Sequence, residues 1–366
     1  MRGFTPKLKA DSRKQVNQAM KRILVVNVNW LGDVVFSTPF LRALRNANPD
    51  AYIACLLMPR CREVLEGNPA VDDLIVYDEE EVHRGLAAKW QLVRSVHRQS
   101  FDEAYLLHRS LTKALMVALA GVPRRIGHPT KRRGCLLTDW AEGRYDQCHR
   151  VEYFLELARA VDAPVPELAY ECYVTQQDRE WADAWLVDRR VGAEDQVVAL
   201  NPGGNWLPKR WPPDRYIELG RRLDRQGVRV VVTGGAADGQ LASAIVDGIG
   251  GQSSSVAGRA TLKQTAALFG RSHVVVANDS GPMHIAVAMR TKVVALFGPT
   301  SPRLTGPYGR GTYTVLRQAP YPAESLQQED RSSDDRYMRA ISVDAVFKEV
   351  QKFLPAGSLI HDDMST

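Results

Sequence analysis

The chain has 366 residues, 45% hydrophobic and 25% charged, with a formal net charge of +6; that suits two ordinary globular domains and excludes a disordered or fibrous chain. No apolar run spans a bilayer, "ALMVALAGV" at 114–122 being far too short, so a transmembrane helix is excluded. The five cysteines form no CxxC pair and total an odd number, which reads as reduced thiols in a cytosolic protein rather than a disulfide frame or zinc site.

The chain opens on a basic leader, 1–21, that lacks the apolar core of a signal peptide and is expected to be a flexible extension. Short β-branched runs then alternate with helical stretches. Strands are expected at "RILVVNV" (22–28), "AYIACLL" (51–57), "DLIVYD" (73–78), "DEAYLLH" (102–108) and "RRIGH" (124–128), with helices such as "PFLRALRNA" between them. The last of these strands opens a second basic cluster, "RRIGHPTKRR". A polar stretch with two prolines, 163–180, reads as a linker. The second half repeats the grammar, with strands at 196–202, 228–234, 253–258, 273–279 and 292–298. A helix is expected from an Asp214 cap to Gly227, with Tyr216, Ile217, Leu219 and Leu223 on its packing face. Strands alternating with helices imply parallel sheets covered on both faces. The expected organisation is a first domain at 22–165, a linker at 166–180, a second domain at 181–340, a closing helix at 341–355 and a disordered tail at 356–366. Ligands of such sheets sit at the carboxyl ends of the strands, here in a cleft between the domains.

Three loops at strand ends could carry chemistry. The first, "VNVNWLGDVVFSTPF" (26–40), has one glycine rather than GxGxxG, which disfavours a dinucleotide fingerprint. Asp33 stands at a helix start, where an acid more often just complements the helix dipole. Facing a cleft, it could serve as a general base. The second, "NPGGNWLPKRWPPDRY" (201–216), joins a glycine turn to Lys209 and Arg210, a combination suited to a diphosphate. It is not a Walker A loop, and Trp211 and Pro212 read as structural. The third, "VVVANDSGPMHIAVAM" (274–289), turns from strand to helix with Pro282 at the first helical position and Ser280 or Gly281 as cap. Its free N–H groups and dipole suit an anion. Gly281 would admit a phosphate, and His284 would donate to it or carry positive charge. Asp279 would repel phosphate but accept well from sugar hydroxyls. On these residues alone, a merely structural cap remains an equal reading. No HExxH, G-x-S-x-G or D-x-D pair is present, and no metal is demanded. The basic charge matches no nucleic-acid motif.

Together and in this order, "NWLGDVVFSTPFLRALR", "NPGGNWLPKRWP", "VAGRATLKQTAALFGRSHVVVANDSGPMHIAVAM" and "VVALFGPTSP" resemble glycosyltransferase family 9, the lipopolysaccharide heptosyltransferases. "HRVEYFLELA" and "ISVDAVFKEVQKFL" are also similar, so the resemblance runs over about 22–354. "WLGD" and "PKRWP" look most like the subgroup adding the second inner-core heptose. The resemblance implies a GT-B fold, two Rossmann-like domains around a cleft, with the last helix crossing back to the first domain. It implies an inverting, metal-independent transfer from ADP-L-glycero-D-manno-heptose to a lipid A–Kdo or heptosylated core by a cytoplasmic protein, and the basic surface leaves open a peripheral contact with the cytoplasmic face of the inner membrane. No cofactor is implied beyond the donor substrate.

By resemblance, Asp33 is the base and Lys209 stabilises the departing ADP. Ser280, Gly281, Pro282, Met283 and His284 hold the diphosphate, and Asp279 binds the transferred sugar. Gly203, Gly204, Asn205 and Arg210 form the phosphate loop, while Gly258 and Leu262 line the adenine pocket. Asn29, Trp30, Arg60, Arg62, Arg109 and Arg124 are candidate contacts for an anionic acceptor, with Arg125, Lys131, Arg132 and Arg133 nearby. The loop 318–340 lacks the cysteines that many relatives carry there. Two further readings stay open: the same scaffold moving another nucleotide sugar, and an inactive nucleotide-binding protein.

Overall fold

A computed structural model describes residues 20–143, 145–161, 163–164, 169–318 and 335–355. The leader up to residue 19, the tail from residue 356 and most of the loop 318–340 lie outside the described residues.

Among the described residues, twelve strands form two six-stranded sheets. The first holds β1 (Arg22–Val26), β2 (Tyr52–Leu57), β3 (Asp73–Val76), β4 (Glu103–Leu106), β5 (Arg124–Gly127) and β6 (Asp139–Trp140) in the order β3-β2-β1-β4-β5-β6. The second holds β7 (Val197–Asn201), β8 (Arg229–Val232), β9 (Ser254–Ser255), β10 (Val274–Asn278), β11 (Lys292–Leu296) and β12 (Tyr313–Leu316) in the order β12-β11-β10-β7-β8-β9. Every neighbouring pair is parallel. Each domain therefore reverses direction between its first and fourth strands, β1/β4 and β7/β10, and this switch opens a crevice at the strands' carboxyl ends. The central strands are apolar runs because both faces are covered by helices; β7 and β10 are buried throughout.

Four expectations are corrected. The edge strands β6 and β12 were not foreseen: β6 has only two residues, and "TYTVL" follows glycine-rich turns with no periodic signal of its own. Helix Gln176–Asp188 begins inside the stretch read as linker, because Thr175 and Asp178 form a reciprocal cap. The helix expected from Asp214 starts at Pro213 and ends at Asp224, so Asp214 lies in its first turn rather than at the cap. The closing helix, Val343–Phe353, does not cross to the first domain. Its stripe of Val343, Val346 and Val350 is buried in the core of the second sheet with Leu219, Leu223 and Val294, since that apolar face finds its largest complementary surface there.

The two domains are docked through an apolar seam. Val34, Val35 and Phe36 of the first pack in one cluster with Ala266, Phe269 and Ile285 of the second. Polar contacts fix the register. Lys263 is buried and donates to the Glu66 and Tyr173 carbonyls. His149 accepts from the Val151 N–H through Nδ1 at 3.2 Å, so its Nε2–H donates to the Gly306 carbonyl at 3.0 Å. Burial holds that imidazole down at about 4, hence neutral, as this tautomer requires. All five cysteines are unpaired. Among the described residues, no helix is long and apolar enough to cross a membrane.

Candidate active site

The two switch points face each other across a cleft of about 510 Å³. Its first wall follows β1. Asn27, buried beneath the loop, donates to Ser37 Oγ at 3.0 Å, and Ser37 donates to the Val34 carbonyl at 2.7 Å. These bonds fix the short helix Leu31–Phe36, whose third residue, Asp33, opens onto the cleft. Asp33 makes no side-chain hydrogen bond among the described residues. Burial by the cleft walls pushes its carboxyl up to about 6; Asp279 adds to the rise, while Arg150 and Lys209 oppose it. A buried carboxyl that faces a cleft, with no side-chain hydrogen bond among the described residues, is suited to exchange a proton near neutral pH.

The second wall is built from the loops after β7 and β10. Asp279 is buried and accepts from Lys209 Nζ and Thr300 Oγ1, both at 2.6 Å and both on Oδ2. Its Oδ1 has no partner among the described residues and remains available to a donor. Asn278, one residue earlier, accepts from the Trp211 N–H at 3.0 Å and donates to the Pro202 carbonyl at 2.9 Å, which locks the two loops together. Trp211 is fully buried and anchors to the Ile341 carbonyl, in keeping with its structural reading. Helix Gly281–Ala288 starts at Gly281, so Pro282 is its second residue rather than its first. Ser280 sits at the cap position but donates to the Asn278 carbonyl instead. The helix end is therefore uncapped by any side chain, and its dipole faces the cleft.

Gly281 is required by the opposite wall as much as by any ligand. A Cβ there would lie 2.2 Å from Leu31 Cδ2 and 3.2 Å from the Gly32 nitrogen. Gly281→Ala is expected to wedge the walls apart and lower kcat about 10²-fold, as misplacements near 1 Å do, with nucleotide affinity falling as well if the helix end shifts. Single-turnover kinetics beside calorimetry would check this.

His284 lines the cleft, but its reading as a cation is corrected. It is buried and edge-on to Phe36, with ring centroids 4.4 Å apart, and burial lowers its imidazole to about 3. It cannot carry positive charge at neutral pH. Among the described residues, its Nδ1 has no partner. Met283 is also corrected, because its side chain lies in the apolar seam and not in the cleft.

The other expected residues divide. Gly203, Gly204, Asn205 and Leu262 line the cleft, as do Trp30 and Arg60, whose guanidinium lies 4.8 Å from the indole centroid. Six do not line it. Arg210 donates to the Gly204 carbonyl at 2.7 Å and shapes the loop from behind. Gly258 takes a left-handed turn with φ of 71° against Ala236. Asn29 is engaged by Lys113 at 2.5 Å and by Glu79. Arg62 pairs with Glu66 on the surface. Arg124 opens β5 at the amino end of the sheet, paired with Glu103 and Asp139. Arg109 lies over the Tyr145 ring at 4.2 Å, while Arg133 is buried and holds the His128, His108 and Leu106 carbonyls.

Sequence reading missed Arg150, Tyr145, Asp238 and Thr300. Arg150 stacks 3.3 Å from the centroid of Tyr145 and faces the cleft beside Asp33; its only signal was its place in "HRVEYFLELA". Asp238 fills the space beside Gly203, where a Cβ would lie 2.5 Å from Oδ2. Because Arg150 stabilises the Asp33 carboxylate, Arg150→Met is expected to move the acid limb of kcat/KM from near pH 6 upward by about one unit. A pH–rate profile with an unmoved limb would separate the two residues.

Two doubly wound domains facing each other across one cleft have the architecture of the GT-B fold. The chain matches the model of glycosyltransferase family 9 (heptosyltransferase) over residues 89–334, and it belongs to that family. Asp33 precedes the matched span. The chain is 29% identical to lipopolysaccharide heptosyltransferase 2 of Salmonella typhimurium over 299 residues, covering 78% of this chain and 85% of that protein. It is 29% identical to the Escherichia coli K12 protein of the same name over 306 residues, with the same shares covered. Among solved structures, E. coli ADP-heptose LPS heptosyltransferase II superposes with a TM-score of 0.76 at 28% identity, over 91% of this chain and 98% of that one. A family 9 glycosyl transferase from Veillonella parvula shares the fold with a TM-score of 0.84 at 24% identity, over 91% and 97%.

Proposed function

We propose that the protein transfers a heptose from ADP-L-glycero-D-manno-heptose to the inner core of lipopolysaccharide, on a lipid A–Kdo or already heptosylated acceptor, with inversion at the anomeric carbon. The observation that carries this reading is the opposition, across one cleft, of the partnerless Asp33 carboxyl to Lys209, Asp279 and the end of helix Gly281–Ala288. The names of the relatives at 29% identity and of the structure at 28% support the choice of donor and acceptor.

In this mechanism Asp33 takes the proton of the acceptor hydroxyl as its oxygen bonds to the anomeric carbon. The bond from that carbon to the ADP oxygen breaks on the opposite face. The charge left on the diphosphate meets Lys209 and the N–H groups at the helix end. Asp279 Oδ1 accepts from a hydroxyl of the transferred sugar, while Oδ2 keeps Lys209 and Thr300 in place. Asn205, Gly203 and Leu262 bound the remaining donor space. Arg60, Arg109 and Arg150 meet the phosphates and carboxylates of the acceptor. No metal takes part, so turnover is expected to persist in chelator. The protein works at the cytoplasmic face of the membrane that holds its acceptor.

Calorimetric titration with ADP, UDP, GDP and CDP tests the donor. ADP is expected to bind tightest. Preference for another base would retain the fold and chemistry and discard the ADP-heptose. Binding without turnover on any donor would leave an inactive nucleotide-binding protein.

A further inference from the structure

Helix Leu111–Leu119 follows β4 and covers the first sheet with Ala114 and Val117. Its outer face is unusual for a protein surface. Leu111, Leu115 and Leu119, each one turn apart, are 45%, 44% and 54% exposed. Its only charged residue, Lys113, is turned inward and buried. A surface helix ordinarily carries its charges on this side. The neighbouring helix, Leu86–Arg98, adds exposed Leu86 and Trp90, with Arg94 against the indole. The two helices pack against each other, so these exposed apolar side chains lie on adjoining elements rather than scattered over the surface.

The border of that face is basic. The segment Gly134–Leu136 packs against the leucine helix. The turn leading into it places Lys131 and Arg132 on the surface in consecutive left-handed conformations, with φ of 51° and 61°. Arg125 is tied to the Leu136 and Val122 carbonyls, between that segment and the end of the helix. The face also adjoins the site. Lys113 reaches Asn29 in the loop that carries Asp33, so the helix begins beside the first wall of the cleft.

We propose that this leucine face, bordered by Lys131, Arg132 and Arg125, docks the protein onto an anionic phospholipid surface. Apolar side chains of a helix lying in the interface enter the headgroup boundary, while basic residues at its edge meet lipid phosphates. Docking there sets the first wall of the cleft against the bilayer that holds a lipid-linked acceptor. In this respect the inference rests on the proposed function and names its membrane-facing surface.

The test is co-sedimentation of the full chain with vesicles of phosphatidylglycerol and phosphatidylethanolamine, and with phosphatidylcholine alone, without acceptor. Binding to the anionic vesicles is expected, weakened by salt and weak on phosphatidylcholine. The triple variant Leu111→Gln/Leu115→Gln/Leu119→Gln should lower the partition at least about tenfold. Lys131→Gln/Arg132→Gln should lower it about tenfold on anionic vesicles. Both variants should keep their thermal midpoints and ADP titrations near those of the parent. Unchanged partition of the triple variant would overturn the assignment, as would equal binding to neutral vesicles. Conversion of an oligomer to monomer by the triple variant, with vesicle binding intact, would assign the face to a second copy of the chain instead. ADP binding and transfer to a deacylated acceptor report on the proposed function separately, so failure of either reading is visible by itself.

Discussion

Asp33→Asn is expected to lower kcat by about 10²–10⁴-fold, the usual contribution of a general base, while ADP affinity stays near that of the parent. The amide keeps the size and the helix position but cannot take a proton. The same change should stabilise the fold. The folded carboxyl holds its proton to about pH 6, whereas the unfolded one, near 3.8, releases it earlier. Over that window the folded state binds more protons, so Asp33 costs stability as the pH rises from about 4 to 6. At neutral pH the cost is at most about 3 kcal/mol, taking about 1.4 kcal/mol per unit. Thermal melts across pH should show Asp33→Asn gaining on the parent above pH 6 and losing that advantage near pH 4. A variant that turns over normally would sink the base assignment. One that is inactive but gains no stability above pH 6 would contradict the burial of the charge.

Lys209→Ala is expected to cost about 10²–10³-fold in kcat, the range seen when one preorganised donor to a developing anion is removed. ADP binding should weaken as well, since the ammonium faces the site where the diphosphate is proposed to sit. The structure adds a second effect. Lys209 and Thr300 share Asp279 Oδ2, so removal of the lysine leaves a buried carboxylate with a hydroxyl as its only partner on that oxygen. Stability should fall, because unpairing a buried ion is costly. Lys209→Ala/Asp279→Asn separates the roles. It should regain thermal stability while transfer and ADP affinity stay low. If the double variant recovered transfer, Lys209 would serve only to neutralise Asp279. Rapid-quench kinetics and calorimetry on the single and double variants decide between these roles.

The loops were legible because each joins a strand end to a helix start with residue types that have few other uses there. Glycine beside proline at 281–282 and the glycine turn at 203–204 announce close approaches of backbone. The object approached was not legible. Gly281 makes room for Leu31 and Gly32 of the other domain, and Gly203 for Asp238. His284 illustrates the same gap. Its position in the first turn suggested a cation, and only the ring of Phe36 and the closed seam around it make it neutral. The arginines were read least well. Arg124, Arg62 and Arg133 have the same side chain as Arg150, yet they are engaged at the amino end of a sheet, on a helix surface and in a buried carbonyl cage. A long guanidinium stem reaches partners that no local spacing encodes.

What the sequence determined by itself was the alternation of apolar strands and helices, hence two parallel sheets, and with them the strand ends at which a ligand site must lie. Hydrophobic period and turn chemistry are local properties, so they survive in one dimension. The tertiary structure alone decided that Asp33 faces Lys209 and Asp279, that Arg150 stands beside it, and that the closing helix stays with the second domain. These depend on which surfaces bury each other, and on electrostatic interactions that fall with distance in space rather than along the chain.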